Sequence, residues 1–119
     1  MLTIYTYAGC DRCRAATRWL RSQGLAFVER AIRETPPSPG ELREMLVAQG
    51  GNLRRLFNTA GRDYRDLQLG SRLADLNEAE AVSLLAGNGN LVKRPFLIGA
   101  GVALVGFDEP RWREALRLP

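Results

Sequence analysis

Residues 2–24 read LTIYTYAGCDRCRAATRWLRSQG, and the change of side-chain period inside this stretch decides the fold. Thr3–Tyr7 is β-branched or aromatic throughout and alternates polar with apolar, which predicts a strand over Leu2–Tyr7. Ala8–Gly9 turns the chain. From Asp11 to Gln23 the apolar residues recur at helical spacing, with Cys13, Ala16 and Leu20 on one face and Trp19 beside them. Gly24 stops that helix, and Leu25–Ile32 reads as a second strand. Strand, tight turn, helix and strand make a βαβ unit with a right-handed crossover.

The rest of the chain extends this unit. Ser38, Pro39 and Glu41 form a capping-box start with proline at the first helical position. The helix they open carries Leu42, Met45 and Leu46 inward and stops at Gly50–Gly51. Asn52–Leu69 reads as short helices or turns. Asn77, with Glu80 three residues on, opens another helix through Leu85, ended by Gly87–Asn90. Pro95–Ile98 and Val102–Val105 are two short apolar strands around Gly99–Gly101, too close in sequence to pair in any way but as a hairpin. Asp108 caps a last helix, Glu109–Leu116, with Trp112 and Leu116 facing in. The expectation is an α/β fold in the order β-α-β, a helical stretch, then β-β-α.

Composition narrows the class. A chain of 119 residues has room for one packed core, so 1–119 is read as a single domain. No apolar run is long enough to cross a bilayer. The start, MLTIYTYAGC, lacks the basic and apolar regions of a signal peptide, so a cytoplasmic location is expected, with no membrane partner. Net charge is +4, and acidic residues break up the basic ones. That argues against direct nucleic-acid binding, which concentrates basic residues on one face. Sixteen of the seventeen basic residues are arginine, with Lys93 the one lysine.

The chain has no histidine and two cysteines. Absence of histidine removes every imidazole base and ligand. Two cysteines cannot close a structural zinc site, so no metal is expected. Three residues apart, they staple almost no loop. Reactive thiol chemistry is left, and Cys10-Asp11-Arg12-Cys13 stands where it is favoured, at the handover from strand to helix. Unpaired N–H groups and the positive end of the helix dipole there favour a thiolate. Cys10, at the cap, is assigned as attacking thiol and Cys13, one turn in, as resolving thiol. Arg94 supplies a positive charge and a bidentate clamp for an anion, and Pro95 opens its strand, where a missing N–H breaks no ladder. Asp11, Arg12, Asn58 and Pro95 are assigned to substrate binding beside the catalytic Cys10, Cys13 and Arg94.

Three segments, YAGCDRCRAATRWL, GNGNLVKRPFLI and VGFDEPRWREAL, occur in the order and spacing of the arsenate reductase/Spx-like branch of the thioredoxin superfamily. Over essentially the whole chain the sequence resembles that branch. The resemblance implies a thioredoxin-like fold with an inserted helical region between strands 2 and 3, and a cis bond before Pro95. Members that reduce arsenate resemble one another in pairing one cysteine with three arginines. Cys10 and Arg94 match two of these four groups, Asn58 stands in the segment of a second arginine, and Val105–Asp108 holds none. Arg54, Arg55 and Arg62 lie near that second position. Cys13 resembles instead the redox-switch members, the Spx-type regulators that bind RNA polymerase. Gly50-Gly51-Asn52 with Arg54–Arg55 is a candidate for part of such a polymerase-facing surface.

The leading expectation is therefore a monomeric thiol–disulfide oxidoreductase acting on small thiols or disulfides. No cofactor is bound, and glutathione or another low-molecular-weight thiol is the cosubstrate. An Spx-type redox-sensing regulator that binds RNA polymerase is the alternative. An arsenate reductase is the third reading.

Overall fold

The apolar strand at the start of the chain needs cover on both faces, and the fold is arranged to supply it. The computed structural model describes residues 1–118. Strand β1 (Leu2–Thr6) lies in a four-stranded sheet of order β2-β1-β3-β4. It pairs in parallel with β2 (Phe27–Ala31) and antiparallel with β3 (Phe96–Gly99). Strand β4 (Val102–Val105) closes the expected hairpin with β3. Among the described residues six helices flank it: α1 (Asp11–Ser22), α2 (Pro39–Ala48), α3 (Arg62–Asp66), α4 (Leu69–Arg72), α5 (Glu78–Gly87) and α6 (Glu109–Ala115). Short 3-10 turns at Leu53–Leu56, Leu73–Asp75 and Gly89–Leu91 link them. Between α2 and β3 the described residues form helices, turns and connections, with one isolated antiparallel bridge, Phe57 to Val92.

Side-chain alternation sorts the sheet into two layers. Leu2, Ile4, Leu97 and Leu104 pack with Ala16, Trp19 and Leu20 of α1 and Trp112 of α6. Tyr5, Phe96, Ile98 and Val105 face the other way, onto Leu42, Met45, Leu56, Phe57, Val82 and Leu85 of the helical stretch. Thr6 lies on the same side of β1 as Leu2 and Ile4 and is buried with them, at 6% exposure. Its hydroxyl donates to Glu29 Oε2 at 2.6 Å, so the polar atom is satisfied where it is buried.

The local signals hold where they were read. Both capping boxes form, Ser38 with Glu41 and Asn77 with Glu80. Asp108 accepts from the Arg111 N–H, and Trp112, fully buried, donates its indole N–H to the Gly106 carbonyl at 2.9 Å. Gly24 follows α1 at φ +71°, the left-handed conformation that ends a helix cheaply only with glycine.

One glycine decides more than its own turn. A Cβ on Gly89 would stand 1.8 Å from the Ile32 carbonyl oxygen. That close approach clamps the Gly89–Leu91 turn against the end of β2. Asn58 N–H donates to Leu91 O at 2.7 Å and Lys93 N–H to Leu56 O at 2.8 Å. The helical stretch is thereby tied to the segment that leads into Arg94.

Candidate active site

The first strand and helix place the two cysteines. Cys10 is the N-cap of α1: its N–H donates to Tyr7 O at 3.0 Å, and its carbonyl accepts from Arg14 N–H at 3.1 Å. Its sulfur accepts the backbone N–H of Cys13 at 3.2 Å. A sulfur therefore does the work of the usual capping oxygen, at the positive end of a three-turn helix. Cys10 is half-buried and Cys13 is 2% exposed, and both are free thiols.

Cys13 is a different kind of thiol from the one sequence spacing alone suggests. Burial, first, and a hydrogen bond to Cys10, second, push it up to about 12 from the ordinary 9.0. A hydrogen bond from the Tyr7 main chain and the charge of Arg94 pull the other way and do not prevail. Cys13 is therefore a protonated donor at neutral pH, and two of the influences that hold its proton come from Cys10. Capping Cys10 as a mixed disulfide removes both of those.

Arg94 reaches the same end of the sheet from the start of β3, the strand beside β1. The Arg94–Pro95 peptide bond is cis, as the resemblance implies. Pro95 stands one residue before the Tyr5↔Phe96 pair of an antiparallel ladder, and so at the C-terminal end of β1, beside the cysteine turn. The Pro95 carbonyl accepts from Gly106 N–H at 2.9 Å. The Arg94 guanidinium donates to Asn90 O at 3.0 Å and lies 5.3 Å from the Tyr7 ring centroid. Arg33 lies 4.3 Å from the centroid of the same ring, so Tyr7 carries two guanidinium groups. Nε of Arg94 is buried with no partner among the described residues.

Two polar clefts share Arg94 as a wall. One, of about 390 Å³, is lined by Arg33, Asn58, Arg62, Asp63 and Asn90 together with Arg94. Asn58 donates to Asn90 O at 3.4 Å, the carbonyl that Arg94 also uses. The other, of about 370 Å³, is lined by Arg12, Arg55, Lys93, Arg94 and Arg111 along the Val105–Asp108 loop. Arg12 donates to the Phe107 carbonyl and lies over the Phe107 ring. The structure thus brings Arg12, Asn58, Arg94 and Pro95 to the cysteine end of the sheet. Asp11 it turns outward: its side chain is 91% exposed and pairs with Arg14.

Several lining residues were not singled out as site residues from sequence. Arg33, Asn90, Lys93 and Arg111 line the clefts, Tyr7 lies under the Arg33 and Arg94 guanidinium groups, and the five arrive from four separate segments. All but Arg33 stand inside the three motif segments, Tyr7 in the first, Asn90 and Lys93 in the second and Arg111 in the third. Among the described residues no cluster of candidate metal ligands occurs, and no helix is long and apolar enough to cross a membrane.

Comparison with known proteins fits this geometry. The model of the ArsC family matches residues 5–115. The chain is 40% identical to protein YusI of Bacillus subtilis, over 95% of this chain and 96% of that one. It is 30% identical to the global transcriptional regulator Spx of Enterococcus faecalis, over 98% of this chain and 86% of the regulator. The crystal structure of a possible arsenate reductase from Streptococcus mutans superposes with a TM-score of 0.84 at 37% identity, covering 90% of this chain and 91% of that one. The matched segment runs from inside β1 to the end of α6 and takes in the cysteine turn, the cis proline and both clefts, and the chain belongs to the ArsC family.

Proposed function

We propose that the protein is a thiol–disulfide oxidoreductase. In the first step Cys10 attacks a disulfide, forms a mixed disulfide and releases one thiolate. In the second, Cys13 gives its proton to solvent and attacks the Cys10 sulfur. This expels the second thiolate and leaves a Cys10–Cys13 disulfide. A small thiol such as glutathione then returns two electrons in two exchange steps, forming its own disulfide. Arg94 holds the anionic part of the small thiol.

The observation that carries this reading is the unequal pair. An accessible sulfur takes a backbone N–H at 3.2 Å, and a buried thiol beside it keeps its proton. A merely structural pair has no need of that asymmetry. The test is repeated turnover of a disulfide with glutathione as donor. Cys10→Ser abolishes turnover. Cys13→Ser, given the disulfide before any glutathione is added, stops after one exchange, with a mixed disulfide on Cys10 visible as added mass. Turnover that survives Cys10→Ser rejects the proposal.

A second reading rests on the likeness to the Spx regulator over nearly the whole chain. In it the Cys10–Cys13 disulfide changes affinity for RNA polymerase, without turnover. Polymerase binding that differs between the oxidised and reduced protein, with no disulfide reductase activity, selects that reading.

A further inference from the structure

Charge separates the two clefts that flank Arg94. In the first, Asp63 sits among the cations: it accepts from Asn88 at 3.0 Å and Asn90 at 3.3 Å, and its carboxyl is held low by Asn88 first, then also by Asn90, Arg62 and Arg33. That cleft carries its own counter-charge. The second gathers Arg12, Arg55, Lys93, Arg94 and Arg111 against a single carboxylate, Asp108, which serves as the cap of α6. None of those five cations forms an ion pair among the described residues. Their hydrogen bonds go to neutral acceptors: Arg12 to Phe107 O, Arg55 to Gln49 Oε1 at 2.7 Å, and Arg94 to Asn90 O.

Five like charges around about 370 Å³ repel one another, and an arrangement of this kind is relieved by an anion of matching charge. The size suits one end of a small molecule rather than a duplex or a folded partner. The cleft is tied to the cysteine turn by Arg12, which lies between Cys10 and Cys13 in the sequence and reaches the Phe107 carbonyl, and by Arg94, whose charge is felt at Cys13. Gly106, at φ +69°, borders the cleft beside Lys93 with no side chain to fill it. Guanidinium groups match phosphate oxygens two at a time, and a phosphate ester supplies more charge per unit volume than a carboxylate.

We infer that the Arg12, Arg55, Lys93, Arg94 and Arg111 cleft selects a phosphate-bearing low-molecular-weight thiol or disulfide and presents its sulfur to Cys10. This rests on the oxidoreductase reading, whose exchange steps apply unchanged. One thiolate of the bound disulfide leaves on attack and the second on resolution by Cys13.

The test compares three disulfides with a dithiol as reductant: coenzyme A disulfide for phosphate, glutathione disulfide for carboxylate, and bis(2-hydroxyethyl) disulfide for no charge. The expected kcat/KM falls in that order. The first exceeds the last roughly 10-fold or more at low salt, the scale of one or two charge-assisted hydrogen bonds, and the advantage shrinks at about 0.5 M salt. Lys93→Ala with Arg111→Ala narrows the ratio, and Arg111→Lys restores part of it. Equal rates for all three, or a preference for glutathione disulfide, overturn the inference.

Calorimetric binding of reduced coenzyme A to Cys10→Ser reads the same cleft without chemistry, and no binding there also overturns it. If coenzyme A binds, and Arg111→Ala weakens it, while no disulfide is turned over, the cleft stands and the oxidoreductase reading falls.

Discussion

Alkylation with iodoacetamide should distinguish the two cysteines sharply, because the structure gives them unequal environments. Cys13 is pushed up to about 12 from 9.0. Each unit is a factor of ten in thiolate, so at neutral pH its ionised fraction falls roughly 1,000-fold below that of an unshifted thiol. A higher value also makes the thiolate a better nucleophile, and a Brønsted slope near 0.4–0.5 returns part of the loss. The net retardation is roughly 30- to 60-fold, before access is counted, and Cys13 is 2% exposed. The assay is timed alkylation of the reduced protein at about pH 7, with peptide mass spectrometry reporting each site. Cys10 is labelled first, and Cys13 lags free cysteine by at least that factor. In Cys10→Ser the lag persists, because burial is the largest cause and does not depend on Cys10. The Cys13 rate climbs about tenfold per pH unit without a plateau through pH 10. Labelling of Cys13 as fast as free cysteine, or ahead of Cys10, refutes the division of roles.

Gly89→Ala should destabilise the fold by about 3 kcal/mol, at the upper end of overpacking costs, since its Cβ would meet the Ile32 carbonyl oxygen at 1.8 Å and neither backbone can swing aside. Urea unfolding would show a lower midpoint at unchanged slope, and a cost under about 1 kcal/mol would contradict the packing described. The raised Cys13 value also predicts a pH dependence. Its neutral form is favoured by folding, so its contribution is fully present below pH 9.0 and is lost as pH rises towards about 12. Tyr5, raised from 10.0 to about 12 by burial and then by Glu41, acts in the same direction higher up the scale. The stability of the wild type relative to Cys13→Ala should therefore decline as pH rises above about 9 towards about 12, and a flat difference would show that the thiol is not held neutral by the fold.

The local elements were legible in the sequence because their causes are local. Ser38 and Asn77 satisfy N–H groups three residues away, and Gly24 needs only its own backbone freedom. The β3–β4 hairpin follows from a connection too short for any other pairing. The C-x-x-C motif marks its own helix start, since Cys10 caps with its sulfur inside a four-residue segment. Arg94 and Pro95 were legible as partners of the cysteines through their motif, not through any local force.

What tertiary structure alone decided depends on groups far apart in the chain. The proton on Cys13 is held chiefly by burial, and burial comes from packing that no four-residue motif contains. Asp11 and Arg12 are adjacent and both exposed, but Asp11 pairs with Arg14 while Arg12 reaches across to the Phe107 carbonyl, which only the fold brings near. Residues 12, 55, 93, 94 and 111 converge on one cleft only because the sheet order brings β3 beside β1 and the helical stretch folds back over Arg94. Hydrogen bonds of a turn or a cap are written in neighbouring residues, whereas desolvation and charge density are sums over space. They exist only once the chain has folded.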